Sequence, residues 1–278
     1  MNGVIELYTH KKEEPNIDWR SIGNHQTCPL ISRKCLKNRK SEPEQTIGTC
    51  VVKHGQKSVL ICPHRLLEKN IIFRDSIHLL TKHEPGNEIH IVSEIGTSAG
   101  NIDYVLASVR KNKVVDFVGI ELQTMDTTGT LFPHRERFLK EVGISNLDQD
   151  ILVSDKPFGI NWKMTAKTIL VQLHHKIAFF EEFNKTLVLV LQDHLLAYMQ
   201  SQFKFDHFEA PSLGNSMHFH SYAYQESGNS SLQLVERLST DAIGINTCLG
   251  LNETNKVDLE QFLHKIQSKI SKDTLLVI

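Results

Sequence analysis

Three residues, Asp103, Glu121 and Gln123, have the types and spacing of a metal-dependent phosphodiester-cleaving site, in the pattern Asp-x17-Glu-x-Gln. Asp103 lies near the start of one predicted strand, and Glu121 and Gln123 lie toward the end of the next. Alternation along a strand puts Glu121 and Gln123 on one face. If the two strands form a hairpin, Asp103 and Glu121 meet at one sheet edge. With the backbone carbonyl of Leu122, they would offer hard oxygen ligands to Mg²⁺.

The third position of this pattern is unusual for a nuclease. Nucleases with a D-x(n)-(D/E)-x-K signature carry a lysine there, whose charge favours hydroxide formation from the attacking water. Gln123 can only position that water by hydrogen bonding, so more of the activation would fall on the metal. So short a pattern also arises by chance at the surface ends of strands. Glu94 and Glu68 are further candidates for the site, and each is also compatible with a solvated surface carboxylate.

Four of the five cysteines lie close together, as Cys28-x6-Cys35-x14-Cys50-x11-Cys62. Four thiolates suit a closed, structural tetrahedral site for zinc or iron, which would contribute folding energy to a turn-rich segment with little core of its own. The alternative is four reduced cysteines without a common role. The fifth, Cys248, is expected to be a small buried residue.

Positive charge is concentrated in the cysteine segment. The whole chain has a net charge of −1, but residues 28–69 contain 9 Lys and Arg against 3 Asp and Glu, a net +6. The run between the cysteines, namely Arg33, Lys34, Lys37, Arg39 and Lys40, could contact a DNA backbone or guanine edges. The alternative is an ordinary solvated loop.

The elements that must position these residues follow from periodicity. Segments 88–95, 101–110 and 113–124 are predicted strands, the last two joined by a turn at Lys111 and Asn112. Segments 63–80, 166–183, 194–203 and 257–270 are predicted helices, and 185–192 is a predicted buried strand. Segments 217–225 and 242–249 are predicted later strands, and residues 1–20 an irregular arm. The order predicts an α/β fold with a mixed sheet, divided into an N-terminal arm and cysteine module (1–62) and a catalytic domain (63–278).

The composition is that of a globular protein, with 40% hydrophobic and 23% charged residues. No stretch reaches the 18 or so apolar residues that a membrane helix needs, and the N-terminus lacks the features of a signal peptide. We therefore expect a cytoplasmic protein.

Several segments together resemble the NotI-type restriction endonucleases, with EagI-like enzymes similar in kind. They are GNIDYVLASV (100–109), VGIELQTMDTTGT (118–130), ICPHRLLEK (61–69) and NWKMTAKTILVQLHHKI (161–177). The resemblance covers about residues 20–195. The last segment contains Lys163, Lys167 and Gln172, and the resemblance assigns no role to these three residues.

The resemblance implies a PD-(D/E)XK core flanked by helices. It implies a bacterial, cytoplasmic homodimer that cleaves double-stranded DNA at a GC-rich palindrome with Mg²⁺ and leaves 5′ overhangs. The catalytic set would be Asp103, Glu121 and Gln123, and a glutamine at the lysine position is a habit of this family. The four cysteines would hold structural iron, with zinc as the alternative that the thiolates alone leave open. A cognate methyltransferase is expected in the same restriction–modification system, without a stable complex.

Three other functions remain open at this point. The first is a repair or recombination nuclease on the same core, without strict sequence specificity. The second is a non-catalytic DNA-binding module with a four-cysteine metal site. The third is a metal protein that binds no nucleic acid, which the +6 segment disfavours.

Overall fold

A six-stranded mixed sheet forms the centre of the molecule. The computed structural model describes residues 2–39, 41–144, 154, 156–226, 231–251 and 259–269. Over all the described ranges, including the smaller sheets, the strands are β1 (Gly3–Leu7), β2 (His10–Lys11), β3 (Thr27–Cys28), β4 (Arg33–Lys34), β5 (Asn38–Arg39), β6 (Glu42–Thr46), β7 (Thr49–His54), β8 (Lys57–Leu60), β9 (Glu88–Thr97), β10 (Gly100–Arg110), β11 (Lys113–Gln123), β12 (Thr127–Gly129), β13 (Phe158–Ile160), β14 (Thr186–Gln192), β15 (Met217–Tyr224) and β16 (Leu232–Thr240). Its α-helices are α1 (Trp19–His25), α2 (Ile71–Ser76), α3 (Phe132–Glu141), α4 (Trp162–Glu182), α5 (Asp193–Gln202), α6 (Ala242–Cys248) and α7 (Leu259–Gln267), and 3-10 helices span Pro63–Asn70 and Ile77–Leu79.

The central sheet has the order β16-β15-β14-β11-β10-β9. Strand β14 runs parallel to both β11 and β15, and the remaining pairs are antiparallel. The β10–β11 hairpin turns at Lys111 and Asn112, both in the left-handed conformation that a tight hairpin of this kind requires. The predicted α/β class with a mixed sheet is therefore confirmed.

Apolar side chains cover both faces of the central sheet. On one face, Leu173, Ile177 and Phe180 of α4 belong to the core that includes Leu187 and Leu189 of β14. Burial of each such side chain stabilises the fold by about 1.5–3 kcal/mol. The sequence predicts this helix because apolar residues recur at helical spacing, although it begins at Trp162, four residues before the predicted start.

The N-terminal region has its own four-stranded sheet, of order β2-β1-β7-β8. The expectation of an irregular arm over residues 1–20 is therefore wrong, and so is that of a core-poor segment up to residue 63. Val51, Val52, Val59 and Leu60 are all fully buried. The β7–β8 hairpin packs on two sides, because Val51 and Leu60 join one core and Val52 and Val59 join the other.

A buried charged network ties this N-terminal sheet to the central one. Arg65 donates to Glu6 through Nε at 2.6 Å and Nη2 at 3.2 Å, and Tyr224 of β15 donates to the same carboxylate at 2.6 Å. Glu6 is fully buried and Arg65 almost so. Since a buried charge left alone is very costly, removal of either partner would destabilise the fold strongly.

Two further predictions are corrected by the structure. The single helix over 63–80 is three short helical pieces, broken where Lys69 and Asn70 adopt positive φ. The predicted strand 242–249 is helix α6, whose N-cap Asp241 accepts a hydrogen bond from the Gly244 amide. Strand β16, just before it, was not predicted.

Two expectations concern the limits of domains and helices. The boundary between residues 62 and 63 stays a prediction. Each of the two larger hydrophobic cores contains residues from both sides of it. Helix α7 lies within the predicted segment 257–270, and residues 257, 258 and 270 fall outside the described ranges. None of the helices in the described ranges combines the length and hydropathy of a membrane span.

Acid should weaken this fold through His220. Burial, followed by the charge of Arg237, lowers the pKa of His220 to about 3, so the folded protein keeps this ring neutral where the unfolded chain binds a proton. Stability contributed by the neutral ring is complete above the unfolded pKa of about 6.5 and is lost as pH falls toward the folded value. We expect His220→Leu to reduce the loss of unfolding free energy between pH 7.5 and pH 5 by about 2 kcal/mol, measured by urea denaturation.

The control is His25→Gln, at an exposed position of α1. This substitution removes a histidine from an exposed position, so any change it produces measures the effect of losing a histidine as such. An unaltered pH dependence in His220→Leu would show that this ring is not a source of acid sensitivity.

Candidate active site and cysteine cluster

Three carboxylates form a row across neighbouring strands of the central sheet. In the β9–β10 pair, Ile102 lies opposite Ile95 and Tyr104 opposite Ser93, so Asp103 of β10 faces Glu94 of β9. In the β10–β11 pair, Tyr104 lies opposite Ile120. One position further in the same register sets Asp103 against Glu121, and the charge of Asp103 acts on Glu121. Glu94, Asp103 and Glu121 therefore occupy neighbouring positions on three adjacent strands. We call these three residues the carboxylate row.

Asp103 is held by the strand beside it. Its Oδ2 accepts a hydrogen bond from the backbone amide of Leu122 at 2.8 Å. The amide donor fixes one oxygen of this half-buried side chain. The residue whose carbonyl was predicted as a metal ligand, Leu122, is therefore in direct contact with Asp103.

Glu121 is a buried carboxylate with an incomplete set of partners. It is only 4% exposed. Lys176 of α4 places Nζ 2.7 Å from its Oε1, but the alignment is not that of a hydrogen bond, and this oxygen has no hydrogen-bond partner among the described residues. Burial, and then the negative charge of Asp103, raise the pKa of Glu121 to about 7, while Lys176 opposes the rise. The Lys176 ammonium therefore supplies positive charge beside this oxygen, and the backbone of Asp103 also bonds to the carboxylate.

Glu94 differs from the other two members of the row. It is exposed and has a φ of 57° inside β9, an uncommon conformation for a residue other than glycine. Its charge acts on His64 and Tyr104, so these rings lie near the row. Glu68 is not brought to the row by its contacts, because its carboxylate accepts from Arg65 Nη1 at 3.1 Å and from the Ser231 amide.

Gln123 lies two residues after Glu121, at the end of β11. Its Nε2 donates to the Thr124 carbonyl at 2.6 Å. It also lines a cavity of about 360 Å³ whose other walls include Cys28, Cys35 and Cys62. The last residues of the catalytic strand and the cysteine segment therefore border the same space.

The four predicted metal-ligating cysteines are free thiols that influence one another. Interaction with the Cys50 thiol, helped by the backbone amides of His64 and Arg65, lowers the pKa of Cys62 to about 7. The same interaction and burial raise the pKa of Cys50. Burial, with the nearby charges of Cys62 and Cys35, raises the pKa of Cys28.

Neither in the carboxylate row nor in the cysteine segment are the described side chains arranged around an ion. Within the described ranges, no group of three or more His, Cys, Asp or Glu side chains has a geometry that could hold a metal. What fits a metal is the chemistry of the donors: soft thiols near one another in the cysteine segment, and an unsatisfied buried carboxylate oxygen in the row. Cys248 is buried elsewhere, as expected, and its thiol donates to the Lys204 carbonyl at 2.8 Å.

The basic residues between the cysteines have unequal surroundings. Lys34 pairs with Glu44 at 3.2 Å, and Arg39 pairs with Glu42 and lies 4.0 Å above the Phe132 ring. Lys37 points toward the Ile61 carbonyl, at 3.5 Å. Lys40 lies outside the described residues.

Arg33 and Lys37 both approach the site. The charge of Arg33 lowers the pKa of His64, after the larger effect of burial, and Arg33 lines a cavity together with Ser93 and Tyr104, next to the carboxylate row. Lys37 lines the other cavity, whose walls include Gln123 and His64.

Two residues near the row were not singled out from the sequence. The spacing of α4 contains a signal for Lys176, because it lies in the buried stripe with Leu173, Ile177 and Phe180. A lysine in an apolar stripe needs a partner inside the fold. His64 carries no comparable signal. Lys163, Lys167 and Gln172 lie on the exposed part of the same helix.

Comparison with known families bears directly on this arrangement. The model of the family described as "Restriction endonuclease NotI" matches residues 6–219, well over half of the chain. The matched segment contains the four cysteines, the carboxylate row and Lys176. No curated protein matches the chain. The chain belongs to the NotI restriction endonuclease family, and it is accordingly a site-specific type II deoxyribonuclease that cleaves DNA.

Proposed function

We propose that this enzyme has a PD-(D/E)XK catalytic core and cuts both strands of a GC-rich palindrome in a Mg²⁺-dependent reaction that leaves 5′ overhangs. The observation that carries the proposal is the row of carboxylates across β9, β10 and β11, with a buried Glu121 oxygen that lacks a hydrogen bond within the described residues. Carboxylate and carbonyl oxygens are the ligands that a hard divalent cation prefers.

In this proposal Asp103, Glu121 and the Leu122 carbonyl hold Mg²⁺, with Glu94 as a further ligand. The bound ion supplies an acidified water and neutralises charge that develops on the phosphate. The hydrogen bond from the Leu122 amide keeps Asp103 oriented. Gln123 orients the attacking water through its side-chain amide, which requires it to release the Thr124 carbonyl.

The cysteine segment is proposed to bind structural iron, with zinc as the alternative. Support comes from the donor set, since four thiols lie within mutual influence and Cys62 has a pKa of about 7. A thiolate is the form that binds metal. The segment borders the end of β11, so a metal there would stiffen the wall beside Gln123 and the loop that carries Arg33.

We further propose that the enzyme acts as a homodimer in the bacterial cytoplasm, beside a methyltransferase with which it forms no stable complex. A two-fold symmetric protein matches a palindrome, and two active sites cut two strands. Strand β9 is an edge of the central sheet, and its Ile89, Ile91, Val92 and Ile95 are 37–43% exposed. Sedimentation equilibrium of the purified protein measures the subunit number.

Loss of the Glu121 charge should abolish cleavage. With Mg²⁺ and GC-rich plasmid DNA, we expect the wild type to give defined fragments and Glu121→Gln to lose at least about 100-fold in rate, because metal ligation and charge stabilisation disappear with little change in side-chain volume. The measurement is single-turnover cleavage followed on gels.

The matched control is Asp116→Asn. Asp116 is a buried carboxylate on the same strand, paired with Lys185 away from the row. The Asp116→Asn variant should keep the wild-type cleavage rate per folded molecule. Equal cutting by wild type and Glu121→Gln would remove Glu121 from the site, and a smear in place of defined fragments would contradict cleavage at one palindrome.

Removal of a cysteine should cost stability more than catalysis. Cys50→Ala is expected to lose the metal and to lower the melting temperature by several degrees or more, because a structural metal contributes folding free energy directly. Metal content by elemental analysis and the visible absorbance of iron–thiolate bonds are the measurements. Cleavage by the fraction that remains folded should stay near the wild-type rate.

Cys248→Ala is the control for cysteine loss as such, since Cys248 is buried and bonded to the Lys204 carbonyl. It should retain full metal content. A wild-type protein without stoichiometric iron or zinc would refute the structural metal site.

A further inference from the structure

We propose that Lys176 is a positioning residue that supplies, from helix α4, the positive charge that the strand motif lacks at Gln123. The inference rests on the proposed carboxylate site and goes beyond it, because neither the motif nor the family match assigns a role to this lysine. In the D-x(n)-(D/E)-x-K pattern, the charge comes from the strand two residues after the glutamate. Here it comes from a helix packed on that strand.

The first support is the contact itself. Lys176 Nζ lies 2.7 Å from Glu121 Oε1, and both side chains are almost fully buried. An ammonium ion removed from water is costly unless a negative partner stands beside it. The row provides that partner, with a second carboxylate on the neighbouring strand.

The second support is the way the backbone fixes the lysine in place. Phe180, one helical turn after Lys176, packs onto Gly119 of β11, where a Cβ atom would lie 2.2 Å from the Phe180 ring. The missing side chain lets α4 approach the strand two residues before Glu121. At the other side, the Lys176 Cε would lie 3.8 Å from a Cβ at Gly100, the first residue of β10. The lysine stem therefore passes from the helix to the two strands that carry Asp103 and Glu121.

The third support is the state of Gln123. Its amide is neutral and is occupied by the Thr124 carbonyl, so it offers no charge to the row. Lys176 can hold the Glu121 carboxylate in place and keep a fixed positive charge beside the carboxylates, where negative charge develops during phosphodiester cleavage. A charge placed in advance in a buried site costs no reorganisation when the reaction occurs.

A second buried lysine provides a matched control. Lys185 pairs with Asp116 on the same strand β11, and both are largely buried. A general loss of stability on breaking a lysine–carboxylate pair should be similar in Lys176→Met and Lys185→Met. Only the first should affect the site.

Cleavage rates test the proposed role directly. We expect Lys176→Met to lower the single-turnover cleavage rate at least about 100-fold, Lys176→Arg to retain most of it, and Lys185→Met to stay within about twofold of the wild type. The double variant Gln123→Lys with Lys176→Met should regain at least about tenfold over Lys176→Met, because the charge returns from the strand. A purely structural lysine would not be rescued from position 123.

Calcium binding gives a readout that does not depend on cleavage. Titration calorimetry of the DNA-free protein with Ca²⁺ at pH 9, where protons compete least for Glu121, should show about tenfold tighter binding in Lys176→Met than in the wild type, because a repelling charge beside the ion has gone. The variant Glu121→Gln should not bind. If wild type does not cut DNA with Mg²⁺, the proposed cleavage fails while this titration still decides the role of Lys176. Unchanged or weaker Ca²⁺ binding in Lys176→Met, or absence of rescue by Gln123→Lys, would overturn the inference.

Discussion

The structure of the site depends on one unfavourable pair, the carboxylates Asp103 and Glu121 on neighbouring strands. Like charges directly opposite each other destabilise a sheet, and burial adds to the cost. The molecule offsets it with the Leu122 amide, which bonds to Asp103, and with the ammonium of Lys176 beside Glu121. Two carboxylates share one ammonium, so negative charge remains at this part of the sheet, and the proposed Mg²⁺ would offset it.

Hydrogen bonding between strands, and not a strong contact between the two side chains, keeps Asp103 and Glu121 next to each other. The tight turn at Lys111 and Asn112, together with the one-residue shift between Val109 and Ser108, sets the β10–β11 register at the site. Parallel pairing with β14 holds β11 from the other side. Gly119 then lets α4 pack closely on the same strand. Each of these is a property of the backbone, so the position of the carboxylates is specified well outside the site.

Short-range sequence patterns predicted the elements whose structure is decided by residues close together in the chain. The hairpin, the buried strand β14 and helix α4 follow from alternation, apolar runs and helical spacing. The N-terminal sheet did not, because β1 pairs with β7 about 45 residues later and no local signal specifies that pairing. Asp103 and Glu121 could be paired from the hairpin, whereas the contact of Lys176 depends on how a helix packs. The helix α6 was predicted as a strand, although Asp241 is of a residue type that caps helices; the β-branched Ile243, Ile245 and Thr247 that follow favour a strand locally.

The network of Glu6, Arg65 and Tyr224 has a consequence for the order of synthesis. Glu6 and Tyr224 are 218 residues apart, so a nascent chain emerging from the ribosome exposes Glu6 and Arg65 long before it can present the tyrosine. Until then the Glu6–Arg65 pair lacks its hydrogen bond from β15, and the central sheet is without β15 and β16. The contact that joins the N-terminal sheet to the central one can therefore form only after most of the chain has been synthesised.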